Sequence, residues 1–253
     1  MEYLEFERIL SAKRMQRYKD AANGDTRKAM ALYRYNLRLS QEMFTIVSWF
    51  EVALRNAIDN LLVPSLGGNW LKDSVQGNGI FSNGRMNETR KIIEKAYNRL
   101  NRQGIYSHSK LIAEMEFGVW KYMYSSLQYR ATGQCLLRAF PNKPRSSAAV
   151  QYKNAYIFNE LDKVNSLRNR IAHHETICFR LHASEIDTSY IVNEYQKIQT
   201  LFSWMGIDSC SMLYGLDHVQ SVCSKINALK QGAFIFFNKI TCSHQAVGVS
   251  IPK

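Results

Sequence analysis

Residues 154–175 read NAYIFNELDKVNSLRNRIAHHE. Ile157, Leu161, Val164, Leu167 and Ile171 recur at spacings of four, three, three and four, one apolar stripe along a helix. At roughly 100° per residue, Arg168 points into the middle of that stripe, while Asn169 and His173, four apart, share the adjoining face. A charge aimed at a core is costly unless it is paired. The stretch predicts an amphipathic helix carrying an Arg, an amide and an imidazole. All three are donors, and the imidazole moves a proton near neutral pH. That set suits phosphate handling. The plainer reading of the same residues is a structural Arg held by a buried carboxylate, with solvent-facing neighbours.

Helical periodicity continues on both sides. Residues 3–22 are amphipathic and end at Asn23-Gly24-Asp25; a helix with Thr26 as N-cap carries Met30 and Tyr33. The strongest helix spans about 37–63, with Met43, Ile46, Val47, Phe50, Leu54, Ala57, Ile58 and Leu61 on one broad face; Pro64 and Gly67-Gly68 end it. Residues 64–85 are rich in Gly and Asn and read as loop. A basic helix follows over about 87–103, and an aromatic helix over 110–130 carries Phe117, Trp120, Tyr122, Tyr124 and Tyr129. Pro141-Asn142-Lys143-Pro144 is a turn, and two or more helices lie between 184 and 230. Phe234–Ile240 and Ala246–Ile251 carry the only extended patterning. The fold class is therefore all-α, without internal repeats.

The chain has 253 residues, 46% of them hydrophobic, enough for an ordinary globular core. Its charge is uneven. Residues 1–175 hold 27 Lys and Arg against 16 Asp and Glu, and the remainder 6 against 5, so almost all of the net +12 lies with the motifs. Such an excess suggests a polyanionic partner; the bland reading is solvated lysines. Cys135, Cys178, Cys210, Cys223 and Cys242 are odd in number and form no C-x-x-C pair, which fits a reducing cytoplasm rather than a disulfide framework or a zinc module. Met1-Glu2-Tyr3-Leu4-Glu5 is acidic and lacks the apolar run of a signal peptide. Phe234-Ile235-Phe236-Phe237 is too short to span a bilayer, so no membrane partner is expected.

Glu51 sits at the edge of its helix's apolar face with Arg55 four residues on. It reads either as the partner that holds the Arg168 fork or as half of an intrahelical pair with Arg55. His173 falls in the last turn of its helix, at the negative end of the helix dipole. His174 points to another face, so the adjacent pair does not easily grip one metal; a site from His173, His174 and His182 is the minor alternative. His108, His218 and His244 are isolated. The aromatics of 110–130 read first as core and second as base-stacking groups, and Glu114 and Glu116 as supporting or solvated carboxylates.

The run Leu167-Arg168-Asn169-Arg170-Ile171-Ala172-His173-His174-Glu175 resembles the signature of the HEPN superfamily, in the form seen in Abi-like (abortive infection, AbiD/AbiF type) proteins. Trp49-Phe50-Glu51-Val52-Ala53-Leu54-Arg55-Asn56 resembles that family's EVALRN helix. Glu114-Met115-Glu116-Phe117-Gly118-Val119-Trp120 resembles its E-L-S-F-G-x-W segment, with Met115 and Glu116 as variants, and Leu137-Arg138-Ala139-Phe140-Pro141 is similar to its mid-chain LRxAFP turn. The resemblance runs from about Ala29 to about Asp217; from about Gly232 onward nothing matches.

The resemblance implies a HEPN-like up-and-down bundle with additional N-terminal helices. Residues 1–104 would be an N-terminal helical part packed on the bundle, 105–231 the core with the motif, and 232–253 a tail. It further implies a cytoplasmic, metal-independent endoribonuclease of the toxin or abortive-infection type, without cofactor, leaving 2′,3′-cyclic phosphate ends. Arg168, Asn169 and His173 would be catalytic, supported by Glu51, Arg55, His174 and Glu175, in a cleft shared across a homodimer on RNA. Two other classes stay open: a non-catalytic RNA-binding module, and a toxin held silent by an antitoxin protein or regulatory RNA.

Overall fold

The computed structural model describes residues 1–231. The extended segments expected at 234–240 and 246–251, the tail, Cys242 and His244 lie outside them. Within the described residues the chain is all-α. In order the helices are α1 (Tyr3–Leu10), α2 (Ala12–Ala21), α3 (Thr26–Leu66), α4 (Trp70–Asp73), α5 (Asn87–Arg102), α6 (His108–Glu114), α7 (Phe117–Tyr122), α8 (Ser126–Ala131), α9 (Asn154–Ala172), α10 (Ser189–Trp204), α11 (Ser209–Met212) and α12 (Val219–Lys230). Among the described residues the one pairing of extended backbone is an isolated bridge between Phe179 and Ile186. No helix among the described residues is long and apolar enough to cross a membrane.

The spine is α3. At about 1.5 Å per residue its 41 residues span about 60 Å. The sequence divides this stretch into two helices, yet Leu32, Leu39, Met43, Ile46, Val47, Phe50, Leu54 and Ile58 are all buried along one uninterrupted element. Its cap is Asp25, not Thr26: the Asp25 carboxylate accepts from Lys28 N–H at 3.0 Å, and Thr26 is already helical. Pro64 lies in the final turn, where a missing amide removes only one internal bond, so the helix passes through it and closes at Gly67, φ 90°. Helices α1, α2, α4, α7, α9, α10 and α12 all pack against this spine.

Two other expected helices are broken. Residues 3–22 form α1 and α2, separated at Ser11, whose φ of 78° no α-helix tolerates and whose hydroxyl caps Arg14 N–H. Residues 110–130 lie within three short helices, interrupted where Glu116 and Ser125 adopt extended backbone. Phe117, Trp120 and Tyr124, at spacings of three and four, are all buried. Their core role is thereby met, and Tyr122 alone of the five expected aromatics stays exposed.

The α9 stripe holds as read: Ile157, Leu161, Val164, Leu167 and Ile171 are buried. Each contributes on the order of 1.5–3 kcal/mol of burial. Tyr156 lies against Trp204, and the Arg170 guanidinium sits 5.0 Å over the Tyr190 ring, so α9 and α10 are antiparallel neighbours.

A candidate phosphate-handling site

Helix α9 ends at Ala172, three residues before the expected end. His174 donates to Ile171 O at 3.0 Å and Glu175 to Arg170 O at 2.9 Å. These two bonds close the helix with a left-handed residue, usually glycine, after the cap. Here that residue is His174, φ 56°. His173 is the cap itself, its N–H bonded to Asn169 O at 2.9 Å and its ring exposed. The turn throws the two imidazoles away from the α9 stripe.

Arg168 is half-buried and acts on Glu51 of α3. Its neighbours emerge from Glu51, whose carboxyl is raised above its ordinary value. Burial raises it most; Arg168 and then Arg55 oppose that, and Glu116 reinforces it. Neither expected pairing is a direct contact: among the described residues Glu51 lies within 4 Å of neither Arg168 nor Arg55. The coupling is longer-range. Arg55 Nε is buried and has no hydrogen-bond partner. Two guanidinium groups thus converge on one half-buried carboxylate, with a buried donor left open. A buried guanidinium N–H without a partner carries a desolvation cost that nothing in the described residues offsets.

Around His173 a second feature assembles. Ser11, Lys13, Arg14, Arg17 and Tyr18 line a shallow cavity of about 380 Å³ with His173, His174, Glu175 and Thr176. Arg14 donates to His174 O at 3.4 Å. Glu175 accepts from Arg170 Nε at 3.1 Å, so it tethers the turn from outside. Asn169 is exposed at the same end of α9. Arg168 acts on Glu51 of α3, whereas His173 lines a cavity with residues of α2. No three groups of the metal-ligating type come together among the described residues, His173, His174 and His182 included.

Four residues that fasten this end escaped the sequence reading. Lys13, Arg14 and Arg17 form a basic i, i+1, i+4 patch, legible as charge but not as part of the site. Asn36 is a lone amide on the apolar face of α3. It is buried, and its Oδ1 accepts from Ile177 N–H at 2.9 Å and Cys178 N–H at 3.3 Å, pinning the strap that follows the motif.

An all-α chain with a basic helix end against a basic N-terminal helix defines the class. The model of the Abi-like protein family matches residues 2–178, and the chain belongs to that family. The matched region runs from α1 to Cys178, within the strap that follows the motif, and so includes Lys13, Arg14 and Arg17. No curated protein and no solved structure matches the chain.

Proposed function

We propose that this protein is a metal-independent endoribonuclease serving abortive infection. The observation that carries the reading is the pair Arg55 and Arg168: two forks around one carboxylate, with a buried Nε unmet, beside a helix end that presents His173 among cations. The RNA 2′-hydroxyl attacks the adjacent phosphorus, a base takes its proton, and the P–O5′ bond breaks as an acid protonates the leaving oxygen. His173 moves the proton. Arg168 stabilises the charge that builds on the phosphoryl oxygens. Asn169 orients the phosphate, and Glu51, Arg55, His174 and Glu175 hold the frame.

Because Arg168 acts on Glu51 of α3 while His173 lines a cavity with α2, we propose that a second copy completes the cleft. Phe44, Trp49 and Val52 are exposed apolar residues of α3 that such a contact could cover. The different neighbours of Arg168 and His173 favour the second reading, RNA binding without cleavage.

Incubation of the purified protein with end-labelled RNA, with and without EDTA, separates the two. Cleavage with 2′,3′-cyclic phosphate and 5′-hydroxyl ends in EDTA supports the enzyme. Loss of all cleavage in EDTA, restored by a divalent ion, sinks the mechanism. Bound but intact RNA leaves the binding module.

A further inference from the structure

A cavity of about 670 Å³ lies between α5 and α7, away from His173. Ile92, Lys95, Arg99 and Arg102 follow one another on α5 at spacings of three, four and three, so they form one stripe along its rim. Met115, Val119 and Tyr122 make the facing wall. Thr89 and Gln128, joined by a 2.9 Å hydrogen bond, lie below, and Arg85 stands at the mouth.

The charges do not cancel. Arg99 is engaged by Glu114, and Glu88 by Lys91 at 3.2 Å. Arg85, Lys95 and Arg102 have no carboxylate within 4 Å among the described residues, and Glu116 is the lining carboxylate left over. Glu116 also acts on Glu51, as Arg168 and Arg55 do. Glu116 thus links the cavity electrostatically to the carboxyl on which Arg168 and Arg55 act. Tyr122 offers a ring 48% exposed, braced edge-on by Phe158 at 5.7 Å.

Free cations along one rim and a braced aromatic on the other match a chain of phosphates carrying flat bases. The volume is that of a small-ligand site, which takes single nucleotides and not a duplex. We propose that this groove holds the single-stranded RNA flanking the scissile bond, with phosphates on Arg85, Lys95 and Arg102 and a base on Tyr122. The assignment rests on the ribonuclease reading and adds where the substrate runs.

The test uses the full chain and a fluorescent 2′-O-methyl oligoribonucleotide, which lacks the attacking hydroxyl, with anisotropy read across a salt series. The exposed double variant Lys95→Glu/Arg102→Glu should bind at least about tenfold more weakly and lower the salt slope by about 1.4, two phosphates at about 0.7 each. Tyr122→Ala should weaken binding about tenfold with the slope unchanged. Circular dichroism checks that each variant is folded. If the wild type binds and cleaves RNA while these variants bind equally well at every salt concentration, the groove assignment is wrong and the ribonuclease reading stands. If the wild type neither binds nor cleaves RNA, both fall.

Discussion

The Arg17 guanidinium on α2 donates to Thr176 Oγ1 at 2.6 Å. It also reaches Ala183 O at 2.9 Å and Arg180 O at 2.8 Å and covers the Phe179 ring at 4.9 Å. One side chain thus ties the N-terminal helices to the strap that follows His173. Arg17→Ala should cost about 2–3 kcal/mol, because it strands several acceptors at once. Arg17→Lys should recover less than half, since an ammonium lacks the planar fork. Denaturant unfolding measures both; limited proteolysis should also open 176–183 first.

His174 occupies a backbone conformation that favours glycine. His174→Gly should hold stability or raise it by up to about 1 kcal/mol. His173 sits at an ordinary backbone angle and its ring is exposed, so His173→Ala should leave the melting temperature nearly unchanged while abolishing cleavage and relieving the toxicity of overproduction. A His173→Ala protein that is as toxic as the wild type would overturn the site.

Glu51 gives a pH signature. Its folded value is raised, chiefly by burial, so the folded chain favours its protonated form. The stability it contributes is therefore present below the ordinary carboxylate value and is lost as pH rises through the raised one. Against Glu51→Gln, the wild type should lose relative stability as pH rises from the ordinary carboxylate range through the raised value. A difference that is flat across that range, or rises, contradicts the burial argument.

The cysteines should separate by reactivity. Burial pushes the Cys178 thiol up to about 12 and the Cys223 thiol up to about 11. Cys210 is exposed. Iodoacetamide near pH 8 should modify Cys210 in the native protein and reach Cys178 and Cys223 only after unfolding, as read by peptide mass mapping. Native modification of Cys178 would contradict its packing.

Light scattering should give twice the 29.3 kDa chain mass. Mixing an Arg168→Ala chain with a His173→Ala chain should restore partial cleavage if the cleft is composite. If each chain carries a whole site, the mixture stays dead. A monomeric, fully active protein refutes the shared cleft.

The periodicity of α9 and the basic helix α5 was legible because apolar spacing reports a helix's buried face directly. The all-α class followed from the same signal repeated along the chain. What escaped was where helices stop. No glycine marks the end of α9, so the left-handed turn at His174 left no trace in the pattern. Ser11 breaks a run that has no proline or glycine. Asp25 and Thr26 both suit a cap, and only geometry chooses. At the site, Arg168 and Glu51 were found as neighbours, but their separation was not, because a helical wheel gives direction and no distance. Arg17 and Asn36 act across 159 and 141 residues of chain, beyond any local pattern.

The spine waits for its last partner. Glu42, buried in the middle of α3, is bonded by Arg38 at 2.6 Å and accepts the His218 backbone N–H at 3.1 Å, where α12 begins, 176 residues later. A chain emerging from the ribosome has made α3 long before α12 exists to cover it. Until then a carboxylate and its apolar neighbours stand open, and the native packing of α3 cannot close. Synthesis interrupted before Val219 should yield a sticky fragment instead of a smaller working protein, so maturation of this chain is gated by its own completion.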